Sequence, residues 1–292
     1  MISIIMPAYN EEKNIKQAID SVLQQSVKDF QLVVINDGST DRTAEIVEQI
    51  IDERILFINP GKKNGKNRSF NIASEHIHGD WIYFMGADDT LPFDALEKWE
   101  KYAKEYNPDE LVAFSGKMRV VSESKKYNNL ILPKKKNRTN FSGPNTLMSK
   151  AMHKFILPLP EDFPNEDGWW GLCIDCFAKT KVFVDEIIAN YSVHEGNSIS
   201  RKSPFSVFSE KYHSRFIIRE RFLEKFGNDI SQKDKKRILG ELKCENLRIR
   251  GKSIRILFVK NVSLIMRIRL FFFSKKFLYN FKIKFDRLFL GH

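Results

Sequence analysis

The sequence predicts an α/β protein in which a mostly parallel β-sheet is covered by helices. Two observations support this prediction: four short apolar runs occur within residues 1–85, and each gap between two of them contains a stretch of helix length. Such alternation is typical of parallel sheets, whose crossover helices cover both faces. Ligands bind these sheets at the carboxyl ends of the strands, so the loops after the strands are where a site is expected.

The elements are expected in a regular order along the chain. The predicted strands are Ile2–Met6, Gln31–Ile35, Ile55–Ile58 and Trp81–Met85, and the helices between them are Glu11–Gln25, Asp41–Ile51 and Lys66–Ile77. Each strand is a compact apolar run, and the first helix repeats apolar residues at three- and four-residue spacing. Two more strands are expected within residues 110–135, and further helices at Asn145–Phe155, Gly168–Ala178, Phe205–Phe226 and Gln232–Arg250.

Composition indicates one large domain and a smaller helical region, expected at residues 1–204 and 205–292. Three cysteines make no disulfide framework and suit a reducing compartment. The pair Cys173 and Cys176 lacks the further ligands of a structural zinc site. The start of the chain has no signal-peptide pattern, and no apolar run approaches the ~18 residues of a membrane span. We therefore expect a cytoplasmic protein.

The basic character lies in the last part of the chain. The net charge is +11, and residues 250–292 carry eleven Lys or Arg and one acid. On a helical wheel one side of this segment is apolar, made of Phe277, Leu278, Phe281, Phe285, Leu288 and Phe289. An apolar face edged with cations favours an anionic membrane surface, so residues 252–292 are expected to hold the protein at the inner face of the membrane. The alternative is that this segment packs on the protein itself or forms a dimer contact. Nucleic acid is disfavoured as a partner because so much phenylalanine accompanies the cations.

Three polar loops follow three of the predicted strands. The first begins at Pro7 and continues with Ala8, Tyr9, Asn10 and Glu11; the second is Asn36–Asp41; the third is Gly86–Asp89. Because the carboxyl ends of parallel strands meet at one rim, these loops are expected to form one site. The ordinary alternative for the second loop is a turn followed by a helix cap.

The order and residues of these loops resemble the family 2 glycosyltransferases over residues 1–200. The resemblance implies the GT-A fold and an inverting enzyme that moves a hexose or N-acetylhexosamine from a UDP-sugar to a saccharide. Bacterial relatives that build cell-envelope polysaccharides suggest, together with the basic tail, a lipid-linked acceptor. In the family, the aspartate matching Asp37 reads the uracil ring, and the loop matching Ala8–Glu11 lies beside the base and ribose.

Asp88 and Asp89 are the expected metal ligands. Two carboxylates after a buried strand are costly unless a cation is near, and Mn²⁺ or Mg²⁺ on a diphosphate would supply one. The family usually shows Asp-x-Asp here, but Gly86 stands at the first position of this motif. Asp88 is therefore the expected chief ligand, and Ala87 is expected to lie beside the donor. A plain turn before Pro92 is the alternative.

The segment from Asn64 to Asn71 resembles the family's Gly-x-x-x-Ala-x-Asn helix start, with Ser69 in place of alanine. Gly65 permits close approach of the backbone to a nucleotide. Lys66 or Arg68 is expected to reach the diphosphate, although such residues often only cap and solvate a helix. Both cations stay open as candidates.

Glu166 and Asp167 match a Glu-Asp pair whose aspartate acts in the family as the general base toward the acceptor. Acidic residues also favour a helix start for electrostatic reasons alone. Trp169 and Trp170 are expected to stack on the acceptor sugar. His194 begins a segment that resembles the family's H-x-x-N-x-S loop and is expected to bind the metal or diphosphate; a solvated histidine is the alternative.

Two other functions fit parts of the pattern. A non-catalytic module on the same fold would bind a nucleotide-sugar or polysaccharide, and Gly86 in the metal motif favours it. A nucleotidyltransferase would carry a Gly-rich basic loop after the first strand, which Pro7–Glu12 is not.

Overall fold

The chain forms two units, Met1–His194 and Glu195–His292. The structure is a computed structural model that describes residues 1–125, 127–133, 141–163, 165–193 and 204–289, with side chains to residue 284. The predicted domain limits, 1–204 and 205–292, meet beside the undescribed residues 194–203, so they stay a prediction.

An eight-stranded sheet forms the centre of the N-terminal unit. Its strands are β1 (Ile2–Ala8), β2 (Phe30–Asn36), β3 (Ile55–Ile58), β4 (Trp81–Phe84), β5 (Val112–Ser122), β6 (Ile131–Leu132), β7 (Thr146–Ser149) and β8 (Thr180–Val193). They lie in the order β3-β2-β1-β4-β7-β5-β6, and β8 pairs with β5. The four strands from β3 to β4 are parallel, as predicted, while β7 is antiparallel to both of its neighbours.

Helices cover this sheet. They are α1 (Ile15–Leu23), α2 (Thr43–Glu48), α3 (Lys66–Ser74), α4 (Ala95–Ala103), α5 (Lys150–Ile156) and α6 (Glu166–Phe177). The helices predicted at Glu11–Gln25, Asp41–Ile51 and Lys66–Ile77 are confirmed but shorter, and the helix predicted at Gly168–Ala178 begins two residues earlier. Ile15, Ala18, Ile19 and Val22 of α1 are buried against the sheet, as the apolar spacing predicts.

The prediction for residues 145–155 is wrong in its first half. A 3₁₀ turn, Gly143–Asn145, leads into β7, and the helix begins only at Lys150. Ser149 marks this start, since its hydroxyl accepts a hydrogen bond from Met152 N at 3.1 Å. The four residues of β7 are buried between β4 and β5, where a strand satisfies the backbone on both sides. Helix α4 and the long strand β8 were not predicted from the sequence.

The C-terminal unit is helical: α7 (Phe205–Phe216), α8 (Ile218–Phe226), α9 (Gln232–Ile249), α10 (Ser253–Ile256), α11 (Leu264–Phe272) and α12 (Lys276–Phe289). A core formed by Cys244, Ile256, Val259, Val262 and Leu270 joins α9 to α10, α11 and the turn between them. Residues 256–270 of the basic segment therefore pack on the protein itself, which is the alternative that the sequence left open for this segment. No described helix is both long and apolar enough to cross a bilayer.

The predicted apolar stripe lies partly on α12. Phe277 and Phe281 are exposed there, whereas Tyr279, between them, is buried with its ring centroid 4.6 Å from that of Phe208. The side chains of Phe285, Leu288 and Phe289 lie outside the described residues. The helix therefore packs on its own unit through one side and presents phenylalanine on another.

Candidate active site

Hydrogen bonds join the loop after β1 to the loop after β2. Asp37 N donates to Ala8 O at 2.8 Å, Asn10 N donates to Ser39 Oγ at 3.0 Å, and Thr40 N donates to Asn10 Oδ1 at 2.8 Å. Asn10 has a φ of 53°, a left-handed conformation that asparagine tolerates. These hydrogen bonds place two of the three predicted loops side by side at one rim of the sheet, as the sequence predicts.

The remaining residues of the first loop lie at the same rim. Pro7 and Ala8 end β1, and the exposed Tyr9 ring carries the Lys63 ammonium 3.6 Å from its centroid. Glu11 N donates to Thr43 Oγ1 at 2.8 Å, which ties the loop to the start of α2. The predicted donor-binding residues of this loop are therefore held together by α2 and β2.

Asp37 ties the end of β2 to the start of α3. Its Oδ1 accepts hydrogen bonds from Asn64 N and Gly65 N, both at 2.8 Å, and from Ser69 Oγ at 3.1 Å. Gly65 has a φ of 89°, which favours glycine over other residues at this turn. All three bonds end on Oδ1, which leaves Oδ2 for a donor N–H of a ligand. Asp37 is thus both a structural residue and a candidate binding residue.

Lys66, the first residue of α3, forms an ion pair inside the site. Its Nζ lies 2.6 Å from Glu166 Oε1, with the Lys66 side chain 55% exposed and that of Glu166 only 8%. Burial lowers the pKa of Lys66, but the carboxylates of Glu166, Asp167 and Asp88 outweigh it and raise the pKa above its usual value. Of the two cations that the sequence left open, Lys66 is the one among the predicted acids.

Arg68 lies apart from that cluster. Its side chain is half exposed and its NH1 is 3.7 Å from Glu161 Oε2. No contact with the Asp88 loop is seen among the described residues, so the expected role of Arg68 at the donor stays a prediction.

Asp88 and Asp89 fold back over Gly86. A Cβ placed on Gly86 would lie 2.6 Å from Asp88 Oδ1 and 2.9 Å from Asp89 Oδ2. Asp89 is buried, and its Oδ1 accepts a hydrogen bond from Ser192 N at 2.8 Å. Burial first, and then the Asp88 carboxylate, raise the pKa of Asp89 well above its usual range. Glycine at position 86 therefore leaves room for both carboxylates.

The residues present fit a hard divalent cation. Two carboxylates meet at one point, and one of them is buried beside a like charge, an arrangement that a cation would offset. Ala87, which precedes them in the chain, is buried. Among the described residues no group of three or more His, Cys, Asp or Glu is arranged to hold a metal. A cation here would therefore need further oxygens from its ligand, and His194 lies outside the described residues.

Tyr191, near the end of β8, lies at the site but was not predicted from the sequence. Burial first, and then the carboxylates of Asp89 and Asp88, raise its pKa, with a further contribution from Asp167. Backbone hydrogen bonds between Thr90 and Asn190 hold this strand beside the Gly86–Asp89 loop. The signal in the sequence was its position at the head of the segment that contains His194.

The expected stacking of Trp169 and Trp170 on an acceptor sugar is wrong. The two side chains are 1% and 0% exposed, and their Nε1 groups donate to Ile156 O at 2.8 Å and Phe141 O at 3.3 Å. Trp170 instead stacks on Phe84 at 4.5 Å between ring centroids. Both rings point into the core from the N-terminal part of α6, whereas the half-buried Asp167 helps to raise the pKa of Lys66 and of Tyr191.

Comparisons with known proteins agree with this arrangement. A family model described as "Glycosyl transferase family 2" matches residues 3–157. An uncharacterized glycosyltransferase of Haemophilus influenzae is 33% identical over 230 residues, which cover 73% of this chain and 84% of that protein. A teichoic acid poly(glycerol phosphate) polymerase of Staphylococcus epidermidis is 34% identical over 116 residues, 38% of this chain but 16% of that protein.

A solved structure shares the fold. S. aureus TarS 1-349 in complex with UDP-GlcNAc superposes with a TM-score of 0.62 at 18% identity, covering 100% of this chain and 92% of that one. The expected GT-A architecture, with its mostly parallel sheet and helical C-terminal region, is confirmed.

Proposed function

This chain belongs to glycosyl transferase family 2, and from that premise we propose that it transfers a hexose or N-acetylhexosamine from a UDP-sugar, with inversion, to a saccharide. The observation that carries the proposal is the cluster at the rim of the sheet. Asp88, Asp89, Asp167 and Lys66 come from three different elements and act on one another electrostatically. A packing role alone gives no reason to gather three acids around one lysine at this rim.

The uracil ring is the proposed partner of Asp37. Its Oδ1 is occupied by α3, and Oδ2 is proposed to accept the ring N–H of uracil. Residues Pro7–Glu11 would then lie beside the base and ribose, since Asp37 N is bonded to Ala8 O. The fold match to a protein in complex with UDP-GlcNAc supports this choice of donor.

Asp88, supported by Asp89, is proposed to hold Mn²⁺ or Mg²⁺. When bound, such an ion neutralises charge on the departing diphosphate. Lys66 is held beside both acids by Glu166 and adds positive charge on the same side of the site. His194 stays a predicted further ligand.

Asp167 is the proposed general base. The neighbouring Glu166 is buried and paired with Lys66, which favours Asp167 as the carboxylate that receives the proton of the acceptor hydroxyl. A base on the face opposite the leaving diphosphate directs the hydroxyl to that face. An α-linked donor should therefore give a β-linked product.

The proposed acceptor is a lipid-linked saccharide at the inner face of the membrane. The exposed Phe277 and Phe281 and the excess of cations in residues 252–292 support contact with an anionic surface, at about 1 kcal/mol for each basic residue near it. The relative that polymerises teichoic acid supports a role in cell-envelope polysaccharide synthesis. Nucleic acid is not a proposed partner.

A donor-turnover assay with purified UDP-sugars and Mn²⁺ tests the proposal. Asp88→Asn should abolish turnover and weaken metal-dependent donor binding. Asp167→Asn should lower the rate constant ~10²–10⁴-fold and leave donor affinity nearly unchanged. Asp52→Asn, which removes a carboxylate paired with Arg54 outside the site, is the matched control and should stay active.

Three results would contradict the proposal. Full activity of the wild-type protein in EDTA would contradict the proposed metal dependence. An α-linked product, identified by NMR, would contradict the proposed inverting mechanism. Tight donor binding without turnover, with every acceptor and metal tried, would instead favour the non-catalytic binding module.

A further inference from the structure

The C-terminal unit contains a groove of about 640 Å³ between α9 and the segment formed by α10 and the turn after it. Four cations line it: Lys236 and Lys243 from α9, and Arg255 and Lys260 from the facing segment. No acidic side chain is part of the lining. Each wall of the groove therefore contributes two cationic side chains.

The groove has a defined construction. Lys236, Leu239, Lys243 and Leu247 recur at three- and four-residue spacing, so they share one face of α9. Gly240 lies on that face, and a Cβ there would come within 2.9 Å of Lys260 O and 2.8 Å of Val262 Cγ2. The missing side chain lets the turn approach the helix backbone, and this approach sets the position of the second wall.

The cations of the groove differ from their neighbours in the same unit. Arg248 is buried and paired with Glu245 at 2.7 Å, and Arg219 pairs with Glu241 at 2.7 Å. None of the four groove cations forms an ion pair with any described residue. Their charge is therefore available to an anion from outside the chain.

Large apolar side chains accompany these cations at the surface. Phe258 lines the groove and is 77% exposed, and Leu239 and the adjacent Ile254 are exposed as well. Exposed aromatic and aliphatic groups next to unpaired cations fit a ligand that is anionic at one end and apolar at the other. Free phosphate and nucleic acid would leave the apolar groups in water.

We propose that this groove binds the phosphate headgroup of an anionic lipid, with the four cations on the phosphate and Phe258 in the acyl region. The proposal rests on the membrane contact proposed above and gives it a site. Half of that site, Lys236 to Leu247, lies outside the predicted membrane segment 252–292. The groove is remote in sequence from the donor-binding residues, so its loss should leave donor turnover intact.

Flotation of the full-length protein with vesicles tests the site. The probes are phosphatidylcholine vesicles with and without phosphatidylglycerol. Lys236→Gln combined with Lys243→Gln should lower the partition coefficient for the anionic vesicles about 30-fold, or about five-fold for each lysine. Lys233→Gln combined with Lys235→Gln removes the same charge from the same helix outside the groove and should change it less than about two-fold. Donor turnover reports folding in both variants.

Phe258→Ser supplies a second readout. It should weaken binding to the anionic vesicles at high salt as well as at low salt, because apolar burial is not screened. Equal losses of vesicle binding in the two double variants would overturn the site, because they would indicate only a general effect of charge. The site would also be overturned if inorganic phosphate displaced the protein from labelled anionic vesicles as effectively as unlabelled vesicles do. Tighter binding to single-stranded RNA than to the vesicles would overturn it as well. If wild type itself does not float with anionic vesicles, the proposed membrane contact fails too, while donor turnover still tests the enzyme separately.

Discussion

Replacing Gly86 with alanine adds one methyl group under the two carboxylates of the proposed metal site. The new Cβ would lie 2.6 Å from Asp88 Oδ1 and 2.9 Å from Asp89 Oδ2, whereas ordinary contacts begin near 3.4 Å. Asp89 is buried and held by Ser192 N, so it has little room to move. The half-buried Asp88 is the side chain that should retreat.

The size of the effect follows from this displacement. Asp88 Oδ1 must shift by about 0.8 Å to reach ordinary contact, and a misplacement of about 1 Å in a catalytic site can cost up to ~10²-fold in rate. We therefore expect kcat to fall about 10- to 100-fold. Stability should hold, because the shifted group is at the rim and Gly→Ala at a permitted backbone conformation typically stabilises by about 0.4–1 kcal/mol. Gly86→Asp should be worse, since it adds a third negative charge.

Turnover of a UDP-sugar, Mn²⁺ affinity by calorimetry and the melting temperature should be measured on the same preparations. Gly171→Ala is the matched control, because its Cβ would meet only Phe141 O at 3.5 Å, an ordinary contact. Wild-type turnover and Mn²⁺ affinity in Gly86→Ala would refute the reasoning that both carboxylates must lie over residue 86. A parallel loss of activity and stability would refute the assignment of a local steric effect.

Three further predictions concern stability. Asp37→Ala removes the acceptor of two backbone N–H groups and should lower the free energy of unfolding by about 1–3 kcal/mol in urea titrations, whereas Asp37→Asn keeps an acceptor oxygen and should lose less. Lys66→Met leaves the buried Glu166 without its cation and should lower the free energy of unfolding by about 2 kcal/mol, between the values for exposed and buried ion pairs. Adding Glu166→Gln should recover most of this loss, and no recovery would contradict the pairing. Burial lowers the pKa of His153 from 6.5 to about 4, so between these values the unfolded chain takes up a proton that the folded chain does not. Stability should therefore fall by about 1.4 kcal/mol per pH unit as the pH drops from 6.5 toward 4, and His153→Gln should remove that part of the slope.

The sequence alone was sufficient for the parallel half of the sheet and for the loops at its rim. Strands β1 to β4 are nearly continuous apolar runs, and the loops after β1, β2 and β4 are short and polar, so both signals are local in the chain. The grouping of Asp37, Asp88 and Asp89 at one rim then follows from the topology of parallel strands. The family resemblance rested on these same residues.

Only the tertiary structure decided which neighbours each side chain has. Strand β7 is four residues long, and its burial comes from β4 and β5, which are distant in sequence. Trp169 and Trp170 lie two and three residues after the proposed base, yet their direction is set by the core beneath α6 rather than by their sequence neighbours.

The same holds for the charges of the site and for the basic groove. Lys66 and Glu166 are 100 residues apart, and their ion pair depends on how α3 and α6 meet. The cations of Lys236 and Lys260 share a groove because Gly240 admits the turn to the face of α9. Periodicity reports which residues are apolar and on which face they lie, but pairing between distant residues is fixed by packing, whose energies depend on the whole fold.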